Sequence, residues 1–262
     1  MKYICICLGV WLATLLAAPT QVRAENAPER SITIMADPSL TVVVSLIARQ
    51  YALKHDVAIT TIFSSTPSQI KQIKEGDASN VIISARPEWI DEMQQNGLID
   101  VFSRRNIARN NLVLAGSRFN FKQPNMKQAT SISAFNANAE DFMFAIGNPL
   151  LTAEGNYAVQ ALESYKLNQM LEPHYVFVGS ASEVVNMIEQ HDAIGVLFRT
   201  DAQLFYDVKE IEAFTADAHS PLIYQAAAVV GENMEQARSF IAYLNGADAR
   251  NIFREYGFST FF

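Results

Sequence analysis

Two short turns rich in hydroxyl groups constrain this chain most, because each joins a strand-like run to a helix-like run. The turns occupy residues 37–41 and 64–68. Serine, threonine and aspartate just before helical periodicity are typical helix N-caps. A helix N-terminus carries unpaired N–H groups and the positive end of the helix dipole, so it can bind an anion. Two such ends in the first part of the chain predict a site that closes on one small oxyanion.

The segments around these turns alternate between strand-like and helix-like patterns, with no internal repeat. Strands that alternate with helices predict an α/β fold with parallel sheets and right-handed crossovers. A polar, irregular stretch at 117–128 interrupts the alternation. The predicted strands lie at 32–35, 57–63, 81–83, 112–115, 142–146, 175–178, 194–198 and 223–230, and the predicted helices at 40–55, 68–75, 89–95, 155–165, 182–190, 234–244 and 247–256.

This order divides the chain into two α/β units and predicts a two-lobed clamshell with a ligand cleft between the lobes. Lobe one comprises 31–111 plus 225–262, and lobe two comprises 112–224. The chain crosses between the lobes near Asn111 and Tyr224, which we expect to act as the hinge. Ligands of open α/β sheets bind beyond the carboxyl ends of the strands, which is where both hydroxyl-rich turns fall.

Residues 1–24 have the pattern of a secretory signal peptide. Lys2 supplies a positive start, and residues 4–18 form a short apolar core. Val22 and Ala24 then place small side chains at the −3 and −1 positions of the cleavage site. The apolar core is too short, and wrongly flanked, for a membrane anchor. We therefore expect cleavage after Ala24, ahead of a loose terminus at 25–30, and a periplasmic location.

Charge and composition exclude several classes of function. Without the leader, 18 basic residues face 27 acidic residues, a net charge of −9. We expect no nucleic-acid binding, because no basic patch is available to neutralise phosphates. Both cysteines, Cys5 and Cys7, lie in the leader, so disulfides and thiol chemistry are not expected. An acidic protein can still hold an anion through N–H dipoles and hydroxyl groups.

An enzyme is the weaker interpretation. The histidines are dispersed without the spacing of metal ligands. The sequence has neither a phosphate-binding glycine loop nor a nucleophile elbow. We therefore predict a monomeric binding protein that has no catalytic residues, no metal site and no cofactor. The histidines are His55, His174, His191 and His219.

In four ordered stretches, the chain resembles the periplasmic molybdate-binding proteins of ABC importers, which are type II solute-binding proteins. Each motif is weak alone, but the ordered set spans nearly all of the chain after the leader. The stretches are 34–41; 63–66 with 72–73, 76 and 83–85; 147–149 with 155–158 and 161–162; and 243–246 with 252–254 and 256–258.

The resemblance implies that hydroxyls and backbone N–H groups hold a tetrahedral dianion between the lobes. It implies the hydroxyls of Ser39 and Thr66 from lobe one, and backbone N–H groups at Glu154 and near Ala181 from lobe two. The position at which the family has a tyrosine hydroxyl falls on Phe198.

Several residues depart from the family pattern. Phe198 has no hydroxyl, Glu154 brings a carboxylate to a turn that faces a dianion, and Asp37-Pro38 adds a charge and removes one N–H. Like charges beside a dianion are costly in a partly dry cleft, so Glu154 must point away or be protonated. Other groups are candidates to replace the lost donor: Arg86, Tyr157 and Tyr206.

The sequence therefore predicts an extracytoplasmic protein that captures molybdate or tungstate and delivers it to a membrane permease coupled to an ATPase. Molybdate or tungstate is then the transported ligand and not a cofactor. Two alternatives stay open. The same fold could hold another small ligand, either an organic solute or a different anion. Alternatively, the chain could be a sensor or interaction protein that has lost transport.

Overall fold

The computed structural model describes residues 31–119 and 142–261. The predicted leader at 1–24, the loose terminus at 25–30 and most of the irregular stretch at 117–128 lie outside these ranges. The described strands are β1 (Ser31–Ala36), β2 (Ala58–Phe63), β3 (Val81–Ser84), β4 (Ile99–Arg109), β5 (Leu112–Ser117), β6 (Phe144–Gly147), β7 (Tyr175–Val178), β8 (Ile194–Phe198), β9 (Val208–Ala213) and β10 (Ile223–Val229).

Helices connect most of these strands, and 3-10 turns at Pro38–Leu40 and Glu172–His174 precede α1 and β7. Each predicted helix is present within two residues of its expected ends. The described helices are α1 (Thr41–His55), α2 (Thr66–Lys74), α3 (Pro87–Gln95), α4 (Ala153–Ser164), α5 (Asn168–Leu171), α6 (Ala181–His191), α7 (Arg199–Leu204), α8 (Met234–Leu244) and α9 (Ala247–Glu255).

The strands form two five-stranded sheets, in the orders β2-β1-β3-β10-β4 and β7-β6-β8-β5-β9. In the first sheet, β1 runs parallel to β2 and β3. In the second sheet, β6 runs parallel to β7 and β8. The predicted α/β class and the two-lobed arrangement of the type II fold are confirmed.

The parallel pairing expected from the alternation of strands and helices holds for β1, β2 and β3, but the sheet is mixed, since β10 is antiparallel to β3 and β4. In the second sheet, β5 is likewise antiparallel to β8 and β9. The chain passes between the sheets at β5 and at β10, because the short links 110–111 and 214–222 join β4 to β5 and β9 to β10. Strand β4 was missed because it is an edge strand with charged side chains, including Arg104 and Arg105.

One buried core runs across both sheets. Tyr224 on β10 and Phe198 on β8 have ring centroids 6.3 Å apart, and Tyr157 on α4 lies 6.3 Å from Phe198 on its other side. The Tyr157 hydroxyl donates a hydrogen bond to the Ala85 carbonyl at 3.0 Å, which connects α4 to the end of β3. These aromatic contacts and this hydrogen bond hold the two sheets together around the cavity described next.

Candidate functional site

A cavity of about 280 Å³ is lined by loops from both sheets. Its lining residues follow the carboxyl ends of β1, β2, β6, β7 and β8, the edge at which open α/β sheets bind ligands. The described lining residues are Asp37, Pro38, Ser39, Thr41, Ser65, Leu151, Thr152, Ala153, Glu154, Gly179, Ser180, Ala181, Ser182, Asp201, Leu204 and Phe205.

Several helix N-termini border this cavity. The Thr152 hydroxyl caps α4 by accepting from the Gly155 N–H at 3.1 Å, and the Ser180 hydroxyl caps α6 by accepting from the Glu183 N–H at 3.2 Å. Thr41, the first residue of α1, lines the opposite side. The positive ends of three helix dipoles therefore face one volume, an arrangement that favours negative charge.

Close backbone packing positions the start of α4. A Cβ atom added at Gly155 would lie 2.1 Å from the carbonyl oxygen of Gly147, the last residue of β6. Such a contact is far inside van der Waals distance, so only glycine allows α4 to begin this close to the strand. The close approach sets where Glu154 meets the cavity.

Ser39 belongs to a hydrogen-bond chain that reaches from lobe one to α7. Its hydroxyl donates to Asp37 Oδ1 at 2.6 Å and lies 2.9 Å from the Tyr224 hydroxyl. The Asn110 side-chain amide donates to Tyr224 Oη at 3.2 Å and to Thr200 Oγ1 at 2.7 Å. Because the Ser39 hydroxyl donates its hydrogen bond to Asp37, the Tyr224 hydroxyl must be the donor in its contact with Ser39. The network therefore fixes the direction in which the Ser39 hydroxyl points.

Three carboxyl groups line the cavity, and all three are buried: Asp37, Glu154 and Asp201 are 3%, 7% and 6% exposed. Burial raises the pKa of Asp37, while hydrogen bonds from Ser39 act to lower it. Burial, reinforced by the charge of Asp37, raises the pKa of Glu154 to about 8. The pKa of Asp201 is raised well above its ordinary value by burial and by the charges of Glu154 and Asp37.

Within the described part of the chain, no cationic side chain lines the cavity beside these acids. Among the described residues that line it, none is lysine, arginine or histidine. Arg199 on α7 is engaged elsewhere, because its guanidinium donates to both carboxylate oxygens of Glu210 at 3.0 and 2.7 Å. Removing charges from water without a partner is unfavourable. Protonation of one or more of the three acids is therefore the least costly state.

The structure brings three of the five residues predicted to bind ligand to the cavity: Ser39, Glu154 and Ala181. The Glu154 backbone N–H hydrogen bonds to its own carboxyl group, so the side chain occupies the donor that the resemblance assigns to the ligand. Ala181 is the first residue of α6 and presents the start of that helix.

Thr66 and Phe198 are fully buried and lie outside the described lining. The Thr66 hydroxyl donates to Ser84 Oγ at 3.2 Å. Phe198 ends β8 and packs between Tyr157 and Tyr224. Both residues support the cavity from within the core.

The candidate replacement donors also lie outside the described lining. Arg86 stacks over the Trp89 ring with its guanidinium carbon 4.5 Å from the ring centroid, and its Nε lies 3.6 Å from Glu88. The Tyr157 hydroxyl donates its hydrogen bond to the Ala85 carbonyl. Tyr206 is 77% exposed, beneath the Arg118 guanidinium.

Sequence reasoning did not identify Asp201 and treated Tyr224 only as a hinge position. Asp201 lies three residues after the end of β8, at the strand edge where ligands bind, so its position was an available signal. Tyr224 carried no such signal, because its hydroxyl meets Ser39 only through the pairing of β10 with β3. Ser180 did have a local signal, as a serine just before the amphipathic helix α6.

No helix within 31–119 or 142–261 is long and apolar enough to cross a membrane. Over the same residues, no group of three or more histidine, cysteine, aspartate or glutamate side chains has an arrangement that could hold a metal ion.

The fold and the two-sided cavity define a solute-binding protein. Residues 32–259 match the family described as bacterial extracellular solute-binding protein, and the chain belongs to this family. The predicted resemblance to periplasmic molybdate-binding proteins is confirmed by the relatives described next.

Two curated relatives and one solved structure show the likeness. The molybdate-binding protein ModA of Escherichia coli (strain K12) is 28% identical over 89% of this chain and 90% of its own. The protein of the same name from Haemophilus influenzae is 26% identical over 89% of this chain and 92% of its own. The periplasmic molybdate-binding protein of Azotobacter vinelandii has the same fold, with a TM-score of 0.74 and 19% identity, over 88% of this chain and all of that one.

Proposed function

We propose that this protein is the extracytoplasmic solute-binding component of an ABC importer and that it captures molybdate or tungstate in the cavity between its lobes. The observation that carries the proposal is a cavity lined from both sheets and bordered by the N-termini of α1, α4 and α6. Membership of the solute-binding family and the two molybdate-binding relatives support the choice of oxyanion. The protein would act in the periplasm as a monomer, by binding and delivery without catalysis.

The anion would contact groups from both lobes. Ser39 would supply a hydroxyl from lobe one by turning its proton from Asp37 to the anion. The starts of α4 and α6, at Glu154 and Ala181, would supply the contacts from lobe two. Thr66 and Phe198 would keep these groups in place from the buried core. Because the ligand bridges the lobes, it would stabilise the closed form over the open form. The lobes would comprise 31–111 with 225–262 and 112–224, as the sequence predicts.

The closed form would then dock on a membrane permease that works with a cytoplasmic ATPase. Ligand binding favours the closed form, and a permease that docks only on that form would receive loaded protein in preference to empty protein. Neither a cofactor nor a nucleic acid has a part in this cycle.

Titration calorimetry with molybdate, tungstate and sulfate tests the proposal. We expect binding of molybdate and tungstate with a Kd below about 1 μM, or more than about 8 kcal/mol of binding free energy. Sulfate should bind at least about tenfold more weakly, because its shorter bonds place the oxygens too close together to reach both lobes. Absence of heat and of thermal stabilisation with all three anions would contradict the proposal.

A small organic solute is the second candidate, and the cavity wall favours it. Pro38, Leu151, Leu204 and Phe205 form an apolar portion of the lining. A ligand with a carbon skeleton would bury this surface, with a favourable contribution of about 25 cal/mol per Å² of apolar area. A thermal-shift screen of small organic acids and amines would identify this case by stabilisation with an organic solute and none with molybdate.

A further inference from the structure

Asp201 lines the cavity, but the ligand contacts proposed above give it no role. It is 6% exposed, it lines the cavity, and its Oδ2 atom has no hydrogen-bond partner. A buried oxygen without a partner is costly, and native structures usually satisfy such atoms. An unpaired carboxyl oxygen on a residue that lines the cavity therefore points to a ligand atom as its missing partner.

Glu154 lies at the start of helix α4 and lines the same cavity. Its carboxyl group accepts hydrogen bonds from its own backbone N–H at the start of α4 and from the Thr152 side chain. Both bonds act to lower the pKa of Glu154, but burial and the charge of Asp37 raise it by more. If the carboxyl is charged, it presents a negative oxygen to an incoming anion. If it is neutral, it still accepts from the backbone N–H and can pass a hydrogen bond onward through its own O–H.

An oxyanion in this cavity would meet Glu154 and Asp201 either as carboxylates, which repel it, or as neutral acids, which can donate hydrogen bonds to it. No lysine, arginine or histidine is present among the described lining residues, so no positive side chain offsets carboxylates placed beside a dianion. Two neutral carboxylic acids instead provide two O–H donors. Hydrogen bonds from O–H groups to charged oxygens are short and strong.

We propose that Glu154 and Asp201 bind the oxyanion as neutral acids, each donating its O–H to an anion oxygen, so that anion and protons are held together in the cleft. This assignment rests on the proposed oxyanion function. It makes Asp201 a ligand-contacting residue, and it gives the Glu154 side chain a role in place of its backbone N–H. No covalent bond forms, and each proton stays on its carboxyl group for as long as the anion is bound.

The charged and titratable groups around the pair support this protonation state. Asp37 faces both acids. Burial raises its own pKa, and hydrogen bonds from the Ser39 N–H and hydroxyl act against burial in favour of its charged form. Burial, and after it the charge of Asp37, raises the pKa of the Tyr224 hydroxyl on β10, so this hydroxyl stays neutral.

On the other elements packed against α4 and α7, the arginine side chains pair with nearby glutamates. Arg199 pairs with Glu210 on β9, and Arg86 lies beside Glu88. Asp37 is therefore the one charged group that faces the two acids among the described lining residues. Its negative charge favours the neutral form of both.

Calorimetry of the purified protein with molybdate in two buffers of different ionisation enthalpy tests the proposal. Molybdate in dilute solution is an unprotonated dianion between about pH 6 and about pH 9, so protons taken up on binding come to the protein. We expect uptake of one proton or more per anion near pH 9 and less near pH 6. The Kd should rise by up to about tenfold per pH unit for each acid above its pKa in the free protein.

Three variants separate ligand contact from a structural role. Glu154→Gln and Asp201→Asn keep an N–H donor without a titrating group. Each should retain Kd within about threefold of wild type near pH 6 and take up fewer protons near pH 9. Glu163→Gln changes an exposed acid on the same helix α4 and should leave proton uptake unchanged.

The outcomes divide cleanly. Molybdate binding with equal Kd at both pH values and no proton uptake would overturn this proposal and leave the oxyanion function standing. Tighter binding at higher pH would also overturn it. Failure of both molybdate and tungstate to bind near pH 6 would remove the oxyanion function itself. If a variant does not fold, as judged by circular dichroism, proton uptake by the wild-type protein decides alone.

Discussion

The hydroxyl of Tyr224 lies 2.9 Å from the hydroxyl of Ser39, although 185 residues separate them in the chain. Tyr224 is on β10, the strand that returns from the second sheet to the first, and Ser39 is in the turn after β1. The returning strand therefore orients the serine that we assign to the ligand. It also reaches α7, because Asn110 links Tyr224 to Thr200.

Tyr224→Phe should weaken ligand binding and lower stability. The change leaves Ser39 and the buried Asn110 amide each without one partner. Unfolding in urea should show a loss of about 1–3 kcal/mol. Calorimetry should show molybdate affinity reduced by about three- to tenfold, because Ser39 is no longer held in place. Tyr165→Phe, which removes an exposed hydroxyl near Thr215, is the control and should change neither quantity appreciably.

Ser39→Ala should reduce molybdate affinity by about tenfold or more, because a hydrogen bond to a charged ligand contributes about 1.5–3 kcal/mol.

Thr66→Val should instead lower the stability of the protein and leave molybdate affinity nearly unchanged. The Thr66 hydroxyl is buried and donates to Ser84 at 3.2 Å, so we expect a loss of about 1–2 kcal/mol in unfolding free energy. Its molybdate affinity should change less than about threefold. A tenfold loss of affinity in Thr66→Val would show instead that this hydroxyl contacts the anion.

The ligand-free protein should lose stability as the pH rises from about 4.5 to about 8. The folded protein keeps a proton on Glu154 up to about pH 8, whereas the unfolded chain releases it near 4.5. The unfolded state binds fewer protons in this interval, so the free energy of unfolding falls with pH and then levels off. Below 4.5 both states hold the proton and this contribution is constant.

The Glu154→Gln variant tests this dependence. It should remove on the order of 2–4 kcal/mol of the decline in unfolding free energy, since a pKa difference of one unit corresponds to about 1.4 kcal/mol. Urea unfolding at about pH 5 and about pH 8.5 measures the decline. Glu163→Gln, on the same helix and exposed, should decline like the wild type. Equal declines in Glu154→Gln and wild type would mean that Glu154 is not the group responsible.

Gly155→Ala should unfold the start of α4 and lower stability by more than about 3 kcal/mol. The new Cβ would lie 2.1 Å from the Gly147 carbonyl oxygen, and neither backbone segment can yield easily. Gly179→Ala is the matched control, because its Cβ would meet Glu183 at 3.6 Å, an ordinary contact. Thermal unfolding of both variants measures the difference. Similar melting temperatures for the two would show that α4 can shift away from β6.

Much of the fold follows from local patterns. The predicted ranges 175–178, 194–198 and 234–244 coincide with β7, β8 and α8. Each is a run in which side-chain periodicity and flanking turn residues agree. A prediction of this kind depends only on neighbours along the chain, so it survives without knowledge of the packing.

The antiparallel strands were harder to predict. Strand β4 has charged residues and lies at a sheet edge, and it joins β5 directly through 110–111. Its direction depends on which partner it finds, and that partner, β10, lies more than 100 residues further along the chain. Local pattern does not encode such a pairing.

By itself, the sequence determined the α/β class, the hydroxyl turn at Ser39 and the acidic departure at Glu154, because propensity and motif are properties of adjacent residues. Only the tertiary structure decided that Asp37, Glu154 and Asp201 line one cavity and that Asp201 Oδ2 has no partner there. These three acids come from segments far apart in sequence. Their pKa values depend on burial and mutual charge, and both exist only once the two sheets have closed around the cavity.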